Sequence, residues 1–317
     1  MKEFLINEND AGQRLDRFIK KAAPLLPPSL MQRYIRIKRI KVNGKRAENA
    51  YMLTLGDTVQ LYINDEFFPP ESDSKLSFMA ARGKLNVVYE DENILLADKE
   101  PGLVVHEDES GDTDTLIGRI QRYLYEKKEY NPDAENSFAP ALCNRIDRNT
   151  GGIVIAAKNA ASLRVLNELI KERLIDKFYL CVIHGKVSPS AGTYKSFMLK
   201  DERQKIVRVF DAPKPGAKTA ITKYKTLKTN DRFSLMEIEL LTGRFHQIRA
   251  QFAYVGHPLL GDTKYGTAKQ NKDTGFKFQA LYSYKLRFSA GEKAEHLAYL
   301  NGKEFVVKDV PFLSLFK

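Results

Sequence analysis

The chain has only two cysteines, Cys143 and Cys181, among its 317 residues. So small a supply cannot form a disulfide framework, and with five histidines it offers no Cys/His cluster at metal-ligand spacing. Two free thiols suit a reducing compartment, which points to the cytoplasm. No apolar run approaches the roughly 18 residues that a spanning helix needs. The opening residues, MKEFLINENDAGQRLDRF, lack the uninterrupted apolar core and small-residue cleavage site of a secretory signal. Internal repeats and low-complexity tracts are missing too, which argues against solenoid and fibrous architectures.

Acid is scarce in one segment. Between Arg14 and Arg46, Asp16 stands alone against eleven lysines and arginines, in a chain of net charge +11 and pI near 9.3. Such a balance favours a polyanionic partner, either nucleic acid or an anionic membrane. The 43 % hydrophobic content is that of an ordinary globular protein, and the length suits one large domain with a small one.

Residues 13–63 read as two short helices followed by a small β unit. Arg14 to Ala22 forms the first helix, which stops before Pro24. Ser29 with Gln32 suggests a capping box that starts the second. There Leu30, Met31, Tyr34 and Ile35 share one face, and Arg33, Arg36 and Arg39 project elsewhere. Ile40 to Val42 reads as a strand, Asn43-Gly44 as a tight turn and Thr58 to Ile63 as a later strand. A solvated basic helix is the plain reading of such a charge run. Cations on both helices and on the turn would instead line one RNA-binding surface. The pattern RLDRF, SLMQRYIR, KVNG and LGDTV resembles the alpha-L RNA-binding domain, which is named for a small-subunit ribosomal protein. The resemblance implies that Arg33, Arg36, Lys38 and Lys41 lie near RNA phosphates. Lys38-Arg39 departs from the glycine that commonly separates helix and strand in that family, which puts the shape of the helix end in question.

Pro69-Pro70 and the following polar stretch mark a linker over 66–83, between a small domain at 1–65 and a large one at 84–317. In the large domain Asn86–Tyr89 and Ile94–Asp98 read as a strand pair. Asp114 caps a helix whose Leu116, Ile117, Ile120 and Leu124 share a face. Ile153–Ala157 is an apolar strand, and Asn159 caps the helix after it. Phe178–Ile183 and Phe233–Leu241 are further strands. A short helix then carries Ile248, Phe252 and Val255, ending at Gly256. With no regular βαβ repeat, the expected class is α+β with a mainly antiparallel mixed sheet.

Three segments concentrate functional residue types. In NRIDRNTGG, Asp147 stands between Arg145 and Arg148 before Gly151-Gly152. An anionic carboxylate held between cations at the mouth of a sheet is equipped to act as a nucleophile, though a salt-bridged surface turn has the same composition. In DKFYLC, Lys177 and Tyr179 alternate onto the same sheet face; taken alone this is an ordinary strand tyrosine. In TGRFHQIRAQFAYVGHPLLGD, Arg249 follows the buried position Ile248 and is able to reach inward to a carboxylate. His246 and His257 suggest metal ligands, but nothing else in the sequence completes a site, so no metal is expected.

Together these segments resemble the RluA-type pseudouridine synthases over about 230 residues, starting near VVYEDENILLADKEPGLVVH. The family's H-R-L-D-x-x-T-S-G reads here as NRIDRNTGG, which sets its aspartate at Asp147. Its K-x-Y tyrosine falls on Tyr179. G-R-x-H-Q-I/L-R matches Gly243 to Arg249, and H-P-x-x-G-D matches His257 to Asp262. Asn144 stands where histidine is usual and Gly151 where serine is usual, and both bear on the shape of the loop. The resemblance implies isomerisation of uridine to pseudouridine in RNA without a cofactor. Asp147 would attack C1′ or take the C2′ proton to give a glycal. Arg249 would pair with Asp147, and Tyr179 would stack on the uracil and assist removal of the C5 proton. Arg145, Arg148 and Arg244 would hold displaced backbone phosphates. Large-subunit (23S) ribosomal RNA is the expected target, with transfer RNA as the alternative, and the chain is expected to act as a monomer. Competing readings are a non-catalytic RNA-binding or ribosome-assembly protein and a glycoside hydrolase drawing on Glu237 or Glu239.

Overall fold

Apolar residues at i, i+3 and i+4 spacing give the first helices a single sticky face. Leu15, Phe18 and Ile19 of α1 (Leu15–Ala22) and Met31 and Ile35 of α2 (Pro28–Arg36) are buried. They cover a four-stranded antiparallel sheet whose strands are β1 (Lys2–Leu5), β2 (Ile40–Val42), β3 (Lys45–Arg46) and β4 (Thr58–Leu61), in the order β1-β4-β2-β3. These are features of a computed structural model, which describes residues 1–68, 76–107, 111–272 and 274–317. The Pro69-Pro70 stretch and the polar residues after it lie outside the described residues.

The start of α2 differs from the expected capping box. Pro28 takes the first helical position, where its missing N–H is not needed, so Ser29 lies inside the first turn and makes no capping bond. The helix end takes the place of the absent glycine with Lys38, at φ 64°. Arg39 N–H donates to Tyr34 O at 2.9 Å and Lys38 N–H to Ile35 O at 3.2 Å, a Schellman closure. Asn43 and Gly44 both have positive φ, as a two-residue hairpin turn of this hand requires.

The stretch between β1 and α1 docks on the loop at 134–137. Asp10 is fully buried and accepts from Asn136 Nδ2 at 2.6 Å and Ser137 Oγ at 2.5 Å. Asn9 Oδ1 accepts from the backbone N–H of Ala160 at 2.9 Å, the first residue of α4 (Ala160–Lys171).

Among the remaining described residues, eleven strands form a second sheet. In chain order its strands begin with β5 (Val87–Glu90), β6 (Ile94–Lys99), β7 (Ala141–Leu142) and β8 (Gly151–Ala157). The central group is β9 (Ile175–His184), β10 (Ala191–Asp201), β11 (Ile206–Phe210), β12 (Lys218–Thr229) and β13 (Phe233–Leu240). After α5 (Gln247–Tyr254) come β14 (Leu281–Phe288) and β15 (Glu304–Val306). The main order is β11-β10-β12-β13-β9-β14-β8-β6-β5. All neighbours are antiparallel except β14 and β8. The class is α+β, as the mixed order of elements suggested.

Ile94–Ala97 of β6 and the whole of β8 are apolar because both faces are covered there. Leu95, Ala97, Val154 and Ala156 face α5 and α3 (Leu116–Glu126), in one core with Tyr179, Ile248 and Phe252. Ile94, Leu96, Ile153 and Ile155 face Val165, Leu166 and Leu169 of α4 on the other side. Asn159 caps α4 as expected, accepting from Ser162 N–H. Thr115 rather than Asp114 caps α3, because the Asp114 carboxylate is taken by Arg119 in a two-pronged pair.

Candidate active site

Asp147 sits in the loop that enters β8, anchored by its neighbour Ile146, which is buried in the core with Tyr179. The chain leaves this loop through two glycines with no room for side chains. A Cβ on Gly151 would meet the Tyr282 ring at 2.4 Å, and one on Gly152 (φ 114°) would meet Ser283 O at 2.2 Å. The departure from serine at 151 thus goes with Tyr282, whose hydroxyl donates to Asp98 at 2.7 Å. At the other departure, Asn144 Oδ1 accepts from Ile155 N–H at 2.8 Å and ties the loop back to the strand.

Arg249 lies 102 residues further on and meets Asp147 through α5, its Nη1 donating to Asp147 Oδ2 at 3.0 Å. The other side of the guanidinium is held by Asp262, with Nε to Oδ2 at 2.7 Å and Nη2 to Oδ1 at 3.1 Å. The Asp262 side chain is fully buried and also accepts from the backbone of Lys264 and Tyr265. Burial opposes both charges. The pairing outweighs it, holding the Asp262 carboxyl below the usual carboxylate range and the Arg249 guanidinium above its own. One arginine therefore bridges a buried carboxylate to one that is 23 % exposed.

The helix carrying Arg249 is packed on nearly every side, and hydrogen bonds satisfy its buried amides. Gln251 accepts from Thr222 Oγ1 and donates to Ser196 Oγ, and Gln247 accepts from Thr242 Oγ1. Val255, expected on the apolar stripe, is instead 38 % exposed at the helix end.

His246 begins α5 in a left-handed conformation (φ 52°), which is uncommon outside glycine and turns its ring toward the loop. Its Nδ1 lies 2.9 Å from Tyr265 Oη and its Nε2 lies 3.8 Å from Asp147 Oδ2. Burial pushes its pKa down to about 4 in spite of Asp147, so the imidazole is neutral at pH 7. Phe245 stacks on it at 3.8 Å. Lys99, fully buried, donates to the carbonyls of Glu100, Leu103 and Arg148 at 2.8–2.9 Å and braces the Asp147 loop from behind.

These groups surround a cleft of about 350 Å³, room for one nucleoside. Arg145, Asp147, Tyr179, Arg244, His246 and Arg249 line it. Tyr179 is 6 % exposed in mid-sheet, and burial pushes its hydroxyl up to about 12. Of the expected phosphate contacts, Arg145 and Arg244 reach the cleft. Arg148 does not line it: its guanidinium donates to Gly102 O and pairs with Asp112 at 3.2 Å. Arg33, Arg36 and Lys38 are exposed on the separate four-stranded unit, and the Lys41 ammonium lies 5.2 Å over the Tyr62 ring. Sequence reasoning gives no role to Asp262 or Lys99, and it offers His246 only as a metal ligand. The H-P-x-x-G-D and G-R-x-H-Q-I-R strings carry the only signal for Asp262 and His246.

A nucleoside-sized cleft whose lining carboxylate is braced by a buried arginine, in a chain that also carries a compact cationic helix pair on a separate unit, suits an RNA-modifying enzyme. Residues 93–254 match the RNA pseudouridylate synthase family, and residues 13–59 match the S4 domain. The chain is 32 % identical over 279 residues to "Ribosomal large subunit pseudouridine synthase C" of Vibrio parahaemolyticus, covering 85 % of this chain and 82 % of the relative. It is 30 % identical to an uncharacterized RNA pseudouridine synthase of Mycoplasma capricolum over 99 % of both chains. The solved structure of Human RNA Pseudouridylate Synthase Domain Containing 1 shares the fold, with TM-score 0.57 and 22 % identity over 78 % of this chain and 89 % of that one. The protein belongs to the RNA pseudouridine synthase family, and its small basic unit is an S4 domain.

Proposed function

We propose that Asp147 is the nucleophile in the isomerisation of a uridine in structured RNA, most specifically large-subunit ribosomal RNA. The observation that carries this reading is the Asp262–Arg249–Asp147 bridge, which fixes one carboxylate oxygen at the cleft and leaves the group partly open. Isomerisation breaks the glycosidic bond, turns the base and rejoins it through C5, with no net redox change and no water consumed. The reaction therefore needs a group that manages an electron-poor ribose carbon while the base is detached. A carboxylate does so by attack at C1′ or by taking the C2′ proton. Because His246 is neutral at pH 7, Arg249 is the cation that bears directly on Asp147. Tyr179 walls the uracil; its hydroxyl stays protonated at neutral pH, which favours the stacking role over removal of the C5 proton.

Arg145 and Arg244 receive the strand from which the uridine has flipped, and Arg33, Arg36, Lys38 and Lys41 grip RNA further away. In this reading residues 1–65 are the gripping domain, 66–83 the linker and 84–317 the catalytic domain. The chain acts as a cytoplasmic monomer without cofactor. The name of the Vibrio relative favours large-subunit ribosomal RNA over transfer RNA. Asp147→Asn is the test: RNA binding is retained and tritium release from [5-³H]uridine-labelled ribosomal RNA is abolished. Substantial release by this variant would refute the assignment.

A further inference from the structure

Behind Tyr179 a second cleft of about 380 Å³ shares Arg145, Tyr179 and Arg244 with the first. Its walls add Lys171, Arg173 and Lys177, and no carboxylate among the described residues lines it. Lys171 is occupied at the surface by Glu168, at 2.9 Å. The side chains of Arg145, Arg173 and Lys177 have no hydrogen-bonding or ion-pair partner among the described residues.

Lys177 is the most informative of the three. It lies two residues before Tyr179 on β9, on the same face and about 7 Å along the strand. Burial pulls its ammonium below the usual lysine range, with no carboxylate to offset the cost. A half-buried cation left without a counter-charge is unfavourable unless an anion arrives to meet it.

We propose that this cleft binds the phosphodiester backbone immediately flanking the flipped uridine, with Lys177 as the central cation and Arg145, Arg173 and Arg244 around it. A nucleotide whose ribose faces Asp147 and whose base faces Tyr179 has its phosphate one sugar edge away, on the Lys177 side of the ring. The proposal rests on reading the neighbouring cleft as the uridine site, and it extends the phosphate contacts onto a strand position otherwise accounted for by packing alone.

The experiment is a salt titration of binding to a fluorescent single-stranded oligouridylate. Lys177→Met should weaken binding roughly tenfold at low salt, the loss of one charge-assisted hydrogen bond. It should also reduce the slope of log K against log salt by about 0.7, the value for one phosphate contact on a single strand. Lys177→Arg should restore both. Lys293→Met, which removes a surface cation paired with Glu172, should change neither. A folded Lys177→Met protein with an unaltered slope overturns the proposal. If that variant does not fold, Arg173→Gln at an exposed helix end serves instead, with the same slope change expected and the same refuting result. Asp147→Asn should keep the full slope. Tritium release by that variant counts against the uridine reading alone, and the slope of Lys177→Met decides the phosphate site separately.

Discussion

Replacing Asp262 by asparagine separates the anchor of the site from its chemistry. The carboxylate is fully buried and accepts four hydrogen bonds, two from Arg249 and two from backbone N–H groups of Lys264 and Tyr265. Asparagine keeps one acceptor oxygen, but it turns an NH₂ toward a guanidinium that can only donate. Breaking one side of a buried pair costs about 3–5 kcal/mol. At roughly 2 °C per kcal/mol for a chain of this size, the melting temperature should fall by about 6–10 °C. Arg249 then loses its fixed orientation and Asp147 the partner that holds it at 3.0 Å. Misplacement of a catalytic group by about an ångström is worth around 100-fold in kcat. Binding of RNA should be nearly unchanged, because Asp262 faces the interior. Single-turnover tritium release, thermal unfolding and RNA binding measure the three effects. A variant with normal kcat would show that Arg249 positions Asp147 without this anchor, and the chain of three charged groups would not be the working unit.

Two further outcomes are expected. Reversing the charges of Arg33, Arg36 and Lys41 should weaken RNA binding and lower its salt slope by about 0.9 for each duplex phosphate no longer neutralised, read by binding titrations at several salt concentrations; an unchanged slope would show that the S4 domain is not the grip. His246 is held neutral, with its pKa lowered from 6.5 to about 4, so it contributes stability above pH 6.5 that is lost as the pH falls through about 4. The amount is at most roughly 3 kcal/mol. Thermal unfolding across pH 3.5–7 should therefore be flatter for His246→Gln than for the parent protein; parallel curves would argue against a buried neutral imidazole.

Most of the elements are legible because their signals are local. Ile153–Ala157 has no polar residue, and a strand covered on both faces needs none. Asn159 caps its helix because its Oδ1 is left to Ser162 N–H while its amide group donates to Asn93, whereas Asp114, in the same kind of position, is claimed by Arg119 five residues on. Ser29 misleads because Pro28 already supplies the helix start. For Asp147, Tyr179 and Arg249, single residues are ambiguous, and the four ordered strings together make them readable. What stays hidden depends on distances across the fold. Asp262 matters because it lies behind Arg249, Lys99 because three carbonyls converge on it, and Arg148 turns aside because Gly102 and Asp112 lie within its reach. No periodicity encodes such meetings.

Asp10, shut between Asn136 and Ser137, ties the S4 domain to the larger domain. On the proposed reading, an RNA held by the cationic helices would present its uridine at Asp147 only if its own folded shape spanned the distance between the two domains. Selection among uridines would then be a matter of measuring distance, with few contacts to bases.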